Sequence, residues 1–187
     1  MNEQFDDEFA GIFDDLNPND FGGVTSAPAR KETFQEFLEA NLRAVRISYL
    51  AVDGNQLNPI AILQAEDTEW TYAPEDDESL GEYVDRLREE AKRLNAVRLF
   101  ISRTTKVGVL PTGDLPDAGD LNTATEMMEN GELSDGAAFF GMERVGDVWE
   151  RVHGIMVAFA NRLGEAQYAP DDQSMDLFAR ILDQSLP

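Results

Sequence analysis

Two helix starts of the same design frame the chain. Thr33 with Glu36, and again Ser79 with Glu82, place a hydroxyl three residues ahead of a glutamate, so that side chains and backbone amides satisfy each other at a helix N-terminus. After the first, Phe34, Phe37, Leu38, Leu42 and Val45 recur at helical intervals, which predicts a helix over 33–45. After the second, Leu80, Val84, Leu87, Ala91 and Leu94 mark one face of a helix over 79–95, and Asp85, Arg86, Arg88, Glu89 and Glu90 take the solvated side. Between them, "ISYLAVDGNQLNPIAILQAEDTEWTYAP" holds three short β-prone runs. Turn clusters at Asp53-Gly54-Asn55 and Glu66-Asp67-Thr68 separate them, which predicts an antiparallel meander.

Downstream, "VRLFISRTTKVGVL" (97–110) reads as one strand, or two broken near Thr104-Thr105. Residues 111–136 are rich in Pro, Gly and Asp, with "NTATEMMEN" as a short helical candidate; a connection this long inside a domain is a place for function or motion. "AAFFGMERVGDVWERVHGIMVAF" predicts a hairpin turning at Gly146-Asp147, with 148–162 left open between strand and helix because periodicity does not decide. Met175, Phe178, Ile181 and Leu182 then predict a final helix capped by Asp171 or Asp172. The resulting expectation is an α+β fold, a mostly antiparallel sheet with helices on one face, preceded by an acidic amphipathic N-terminal arm. Residues 1–16 are read as the arm, 17–32 as a Pro/Gly/Ser/Asn linker, and 33–187 as a single domain with a long loop at 111–136.

This layout resembles that of small uncharacterised acidic α+β proteins of bacteria, archaea and their viruses. The resemblance covers residues 33–103: a helix, then "DG" and "NPIAILQ", then the acidic helix "LGEYVDRLREEAKRLNA" feeding the strand "VRLFIS". It implies an origin in a virus or mobile element as one setting, and it brings neither an activity nor a catalytic residue with it.

With 187 residues the chain is long enough for one domain with a buried core. It has no cysteine, which excludes a disulfide framework, a thiolate nucleophile and Cys-ligated zinc or iron–sulfur sites. No apolar run reaches the length of a membrane span, and the N-terminus lacks the basic and apolar regions of a secretory signal, so the expected location is the cytoplasm, or a virion if the protein is viral. Lys+Arg is 15 against Asp+Glu 37, a formal charge of −22, which disfavours direct binding to nucleic acid or an anionic membrane and points to neutral or basic partners. Two readings of the acidity stay open: a lysine-poor surface of the halophilic type, or carboxylates that mimic DNA phosphates. Against this background residues 91–110 carry +5, a basic island of Lys92, Arg93, Arg98, Arg103 and Lys106. It reads either as internal charge balance or as a docking patch for an acidic segment, one candidate being the chain's own arm.

Constellations for catalysis are weak. His153 is the only histidine, and its apolar neighbours Val152, Ile155 and Val157 suit a sheet residue better than a triad base or a zinc ligand. The paired acids Asp76-Asp77, Glu89-Glu90 and Asp171-Asp172 are expected by chance in so acidic a chain; a carboxylate-dependent hydrolase would need two of them facing each other across a cleft. "DLPDAGDLN" (114–122) lacks the glutamate that completes a calcium loop, and no glycine-rich phosphate motif is present. No catalytic residue, metal site or cofactor is assigned.

In the arm, Phe5, Phe9, Ile12, Phe13 and Leu16 fall on one helical stripe, and Asp6, Asp7, Asp14 and Asp15 take the other side. Gly11 weakens such a helix by about 1 kcal/mol, and a helix of this length is marginal alone. An acidic segment with an aromatic stripe suits binding-coupled folding into an apolar groove with a basic rim. The sequence therefore points to a non-enzymatic interaction protein that engages a protein partner or another subunit through its arm, with a DNA-mimic inhibitor as the competing reading.

Overall fold

Neighbouring residues of single strands go to different helices. The computed structural model describes residues 24–29, 32–51, 58–107, 134–159, 162–169 and 176–185. Its elements are β1 (Val24–Pro28), α1 (Phe34–Ala51), β2 (Ile60–Gln64), β3 (Thr68–Tyr72), α2 (Leu80–Leu94), β4 (Arg98–Val107), β5 (Ser134–Val145), β6 (Val148–Phe159), β7 (Arg162–Leu163), β8 (Gln167–Ala169) and α3 (Asp176–Ala179). The strands form one antiparallel sheet in the order β1-β3-β2-β4-β5-β6-β7, and β8 pairs a second stretch of β6. The mixed α+β, mostly antiparallel character expected from the sequence is what the described residues show.

Helices on one face is the expectation that needs correcting. Ile62, Phe100, Phe139 and Met156 pack with Phe37, Leu38, Leu42, Val45 and Tyr49 of α1. Their neighbours Ala61, Leu63, Leu99, Ile101 and Phe140 pack with Tyr83, Val84, Leu87 and Ala91 of α2 and with Ala179, Ile181 and Leu182. Because successive strand side chains point to opposite faces, α1 covers one side of the sheet, and α2 with the C-terminal segment covers the other. The sheet is the middle layer of three.

Both capping boxes form. Glu36 accepts from the Thr33 amide at 2.8 Å and the Thr33 hydroxyl accepts from the Glu36 amide at 3.3 Å. At α2, Glu82 accepts from the Ser79 amide at 2.9 Å and the Ser79 hydroxyl accepts from the Glu82 amide at 3.3 Å. The Ser79 side chain and then its backbone amide hold the Glu82 carboxyl below its ordinary pKa. Ser79→Ala is therefore expected to destabilise the domain by about 1 kcal/mol and to move the Glu82 titration upward, read by carboxyl NMR. Asn95 ends α2 in the left-handed conformation, φ 50°.

Other boundaries differ from expectation. Residues 47–51, read as part of the first strand of the meander, continue α1 as helix; Tyr49, four residues beyond Val45, is buried on the same stripe. Val24–Pro28, inside the stretch read as linker, pairs with β3 as the sheet's edge strand. Residues 148–159 are strand, completing the hairpin through Gly146 at φ 64°. The final helix is short, covering Asp176–Ala179. Phe178 is half-buried against the core, and Ile181 and Leu182 are buried in the turns that follow. The arm 1–16, most of the linker, the turn at 53–55, the greater part of the loop 111–136, and Asp171, Asp172 and Met175 lie outside the described residues.

Close approach explains one glycine of β5. A Cβ at Gly141 would collide with Leu38 Cδ2 and lie 3.1 Å from Val152 Cγ2, so the bare backbone there is what lets α1 settle onto β5.

Candidate functional site

Arg103 stands out of β4 on the α2 face, one residue past the last pair that joins β4 to β2. It is exposed, and its side chain makes no ion pair or hydrogen bond among the described residues. It borders two adjoining concavities on that face. One, of about 270 Å³, has Ile101, Ala138 and Phe140 of the sheet as floor and Leu80, Leu177 and Phe178 as walls. The other, of about 390 Å³, runs from Asn58 and Pro59 to the loop Pro74–Glu78 at the start of α2.

Each wall is fixed by specific contacts. The Arg86 guanidinium donates to Glu78 Oε1 at 2.8 Å and Oε2 at 2.7 Å, and to the Ala73 carbonyl at 2.9 Å, a fork that ties the acidic loop to α2. Hydrogen bonding from Arg86 holds the Glu78 carboxyl below its ordinary pKa. Within this loop Asp77 takes φ 67°, a left-handed conformation that aspartate tolerates better than most residues. Behind it the Tyr83 hydroxyl donates to the Tyr72 carbonyl at 2.8 Å, and the Tyr72 hydroxyl donates to Glu90 at 2.9 Å. Burial and then the Glu90 hydrogen bond push Tyr72 up to about 12. On the opposite side Phe178 lies 6.0 Å from the Phe140 ring, and Arg151 with Asp183 (3.2 Å) and Arg180 with Asp85 (3.5 Å) pin the C-terminal segment to the domain.

The five residues of the basic island do not converge on one patch. Arg93 pairs with Glu90 at 2.6 Å and Lys106 with Asp135 at 2.6 Å. Arg98 pairs with Glu143 on the α1 face, donates to Gln64 Oε1 at 3.0 Å and lies 5.7 Å from the Phe37 ring centroid. Lys92 is exposed on α2. That leaves Arg103 as the member of the island beside an apolar concavity. Sequence reasoning had grouped it with residues that the strand alternation sends to other faces, and the floor residues Ala138 and Phe140 carried no signal that marked them as a site.

The arm residues Phe5, Phe9, Ile12, Phe13, Leu16, Asp6, Asp7, Asp14 and Asp15 lie outside the described residues. His153 is buried in β6 opposite Phe140 and Ala169. No three His, Asp or Glu residues converge among the described residues, and none of the described helices is long and apolar enough to cross a membrane. Comparison of the chain with family models, with curated proteins and with solved structures finds no match.

Proposed function

We propose that this chain is a non-enzymatic interaction protein whose α+β domain carries an acidic-aromatic segment, residues 5–16, that engages a protein partner or another subunit. The observation that supports this most is where that segment joins the domain. β1 is exposed at all five of its positions and, among the described residues, pairs with β3 alone, so the point at which the described chain begins lies at the rim of the sheet. A segment attached at a rim can engage something else without either core being opened. The partner it suits offers an apolar groove with neutral or basic surroundings.

The DNA-mimic reading asks for free carboxylates at phosphate-like spacing. Within 66–90, Glu78, Glu90 and Asp85 face arginines and Glu82 closes a helix cap, which favours the interaction reading. Deleting residues 1–22 is the test. We expect the truncated chain to keep its thermal transition and to lose self-association by light scattering and capture of partners from host extract. A truncated chain that assembles and captures the same partners overturns the proposal.

A further inference from the structure

β1 ends the sheet with one side of its backbone unused. One residue past it, the Ala29 amide donates to the Asp67 carbonyl at 3.0 Å, while the Ala65 amide donates to the Thr68 carbonyl at 2.9 Å on the β2 side of β3. Bonding alternates along antiparallel ladders, so Thr25 and Ala27 turn their N–H and C=O groups toward β3, and Val24, Ser26 and Pro28 turn theirs outward. The outward groups are the amides of Val24 and Ser26 and the carbonyls of all three, since Pro28 has no amide to offer. Among the described residues nothing pairs with them, and every residue of the strand is exposed, Val24 at 54%. Free edges are commonly blunted by charged side chains, and Val24–Pro28 has none; Pro28 alone interrupts this one.

We propose that β1 accepts an extended segment of a partner protein as an added strand, and that this segment carries lysine or arginine at the end lying beside Val24. The surface is separate from residues 5–16, so the inference stands without the arm. Main-chain bonds to Val24 and Ser26 give such pairing its attraction whatever the side chains. Charge then chooses the occupant. Glu75, Asp76 and Asp77, all exposed, follow closely on Tyr72, the Cα partner of Val24. Glu66 and Asp67 are exposed at the other end of the strand, but Arg30 and Lys31 follow Ala29 in the chain and offset them. On α2, Arg86 and Arg93 are taken by Glu78 and Glu90. Even with Arg103 across the concavity counted, the Val24 end keeps an excess of negative charge. A second copy of this chain, at −22, is repelled from the same edge that attracts a basic segment.

The probe is the synthetic peptide Lys-Lys-Thr-Val-Thr-Val-Thr-Lys-Lys, basic at both ends to suit either strand direction, added at low salt to the full-length isotope-labelled chain. Before it is added, the amides of Val24 and Ser26 are expected to be several-fold less protected from hydrogen exchange than those of Thr25 and Ala27. The peptide should slow exchange at Val24 and Ser26 several-fold and change Thr25 and Ala27 little. Ser26→Pro removes an outward amide and no bond to β3, so it should keep the thermal transition and abolish the slowing at Val24. Glu75→Lys with Asp76→Lys, or added salt, should weaken the effect several-fold. No slowing with the lysine peptide, or equal slowing when glutamates replace its lysines, overturns the proposal. So does undiminished slowing at Val24 in Ser26→Pro. Strong protection of Val24 and Ser26 before the peptide is added overturns it as well, because the edge is then already paired, with a second copy if dilution removes the protection. Deleting residues 1–22 reads out the arm separately, so either proposal can fail while the other stands.

Discussion

Glu143→Ala is expected to cost about 3 kcal/mol of stability, read as a lower urea midpoint at unchanged slope. Breaking a buried ion pair by removing one partner costs about 3–5 kcal/mol because the other charge stays buried; the lower end applies here. Arg98 and Glu143 each keep 14% of their side-chain surface exposed, which leaves water some access. Alternative partners for the stranded guanidinium are the Gln64 carbonyl oxygen and the Phe37 ring, both neutral. Gln64 is itself under-satisfied, since its Nε2 is buried without a partner among the described residues. The discriminating variant is Arg98→Met with Glu143→Leu, which removes both charges and fills similar volume. It should recover most of the loss, because two desolvated charges are traded for apolar contacts beneath α1. A double variant as unstable as the sum of the single ones would show that the trio contributes through geometry rather than charge.

The helix starts, the strand "VRLFIS" and the hairpin at Gly146-Asp147 were legible because each is set by neighbours within a few residues. Residues 47–51 misled for a related reason. Ile47, Tyr49 and Leu50 suit a strand by type, yet Leu42, Val45 and Tyr49 continue the helical stripe, and burial of Tyr49 against the sheet decided between the two. The two-sided sheet had left a trace that went unused. Leu99, Phe100 and Ile101 are three consecutive apolar residues, and all three are buried, as a strand covered on both faces requires. The site was less legible. Arg103 belongs to a basic run along the chain, but the alternation of β4 separates it from Arg98 and Lys106, and only the register through β3 and β2 brings it near the row of Val24. No local pattern encodes a pairing of that range.

A sheet covered on both faces has a measurable consequence. Leu42 in α1 and Leu87 in α2 are 3% and 0% exposed, and they belong to different clusters with the sheet between them. Leu42→Ala and Leu87→Ala should each destabilise by about 2–5 kcal/mol, the transfer of the lost methyl groups plus the cavity left behind. Sites that share no partner add to within about 0.5 kcal/mol, so the double variant should lose the sum. That total approaches the whole stability of an ordinary domain, about 5–15 kcal/mol, so the double variant is best measured in a stabilising salt. Helices stacked on one face would instead relax into a shared cavity, and the second substitution would cost less than the first. Additive losses at constant denaturant slope would mean that α1 and α2 are held independently by opposite surfaces of one sheet.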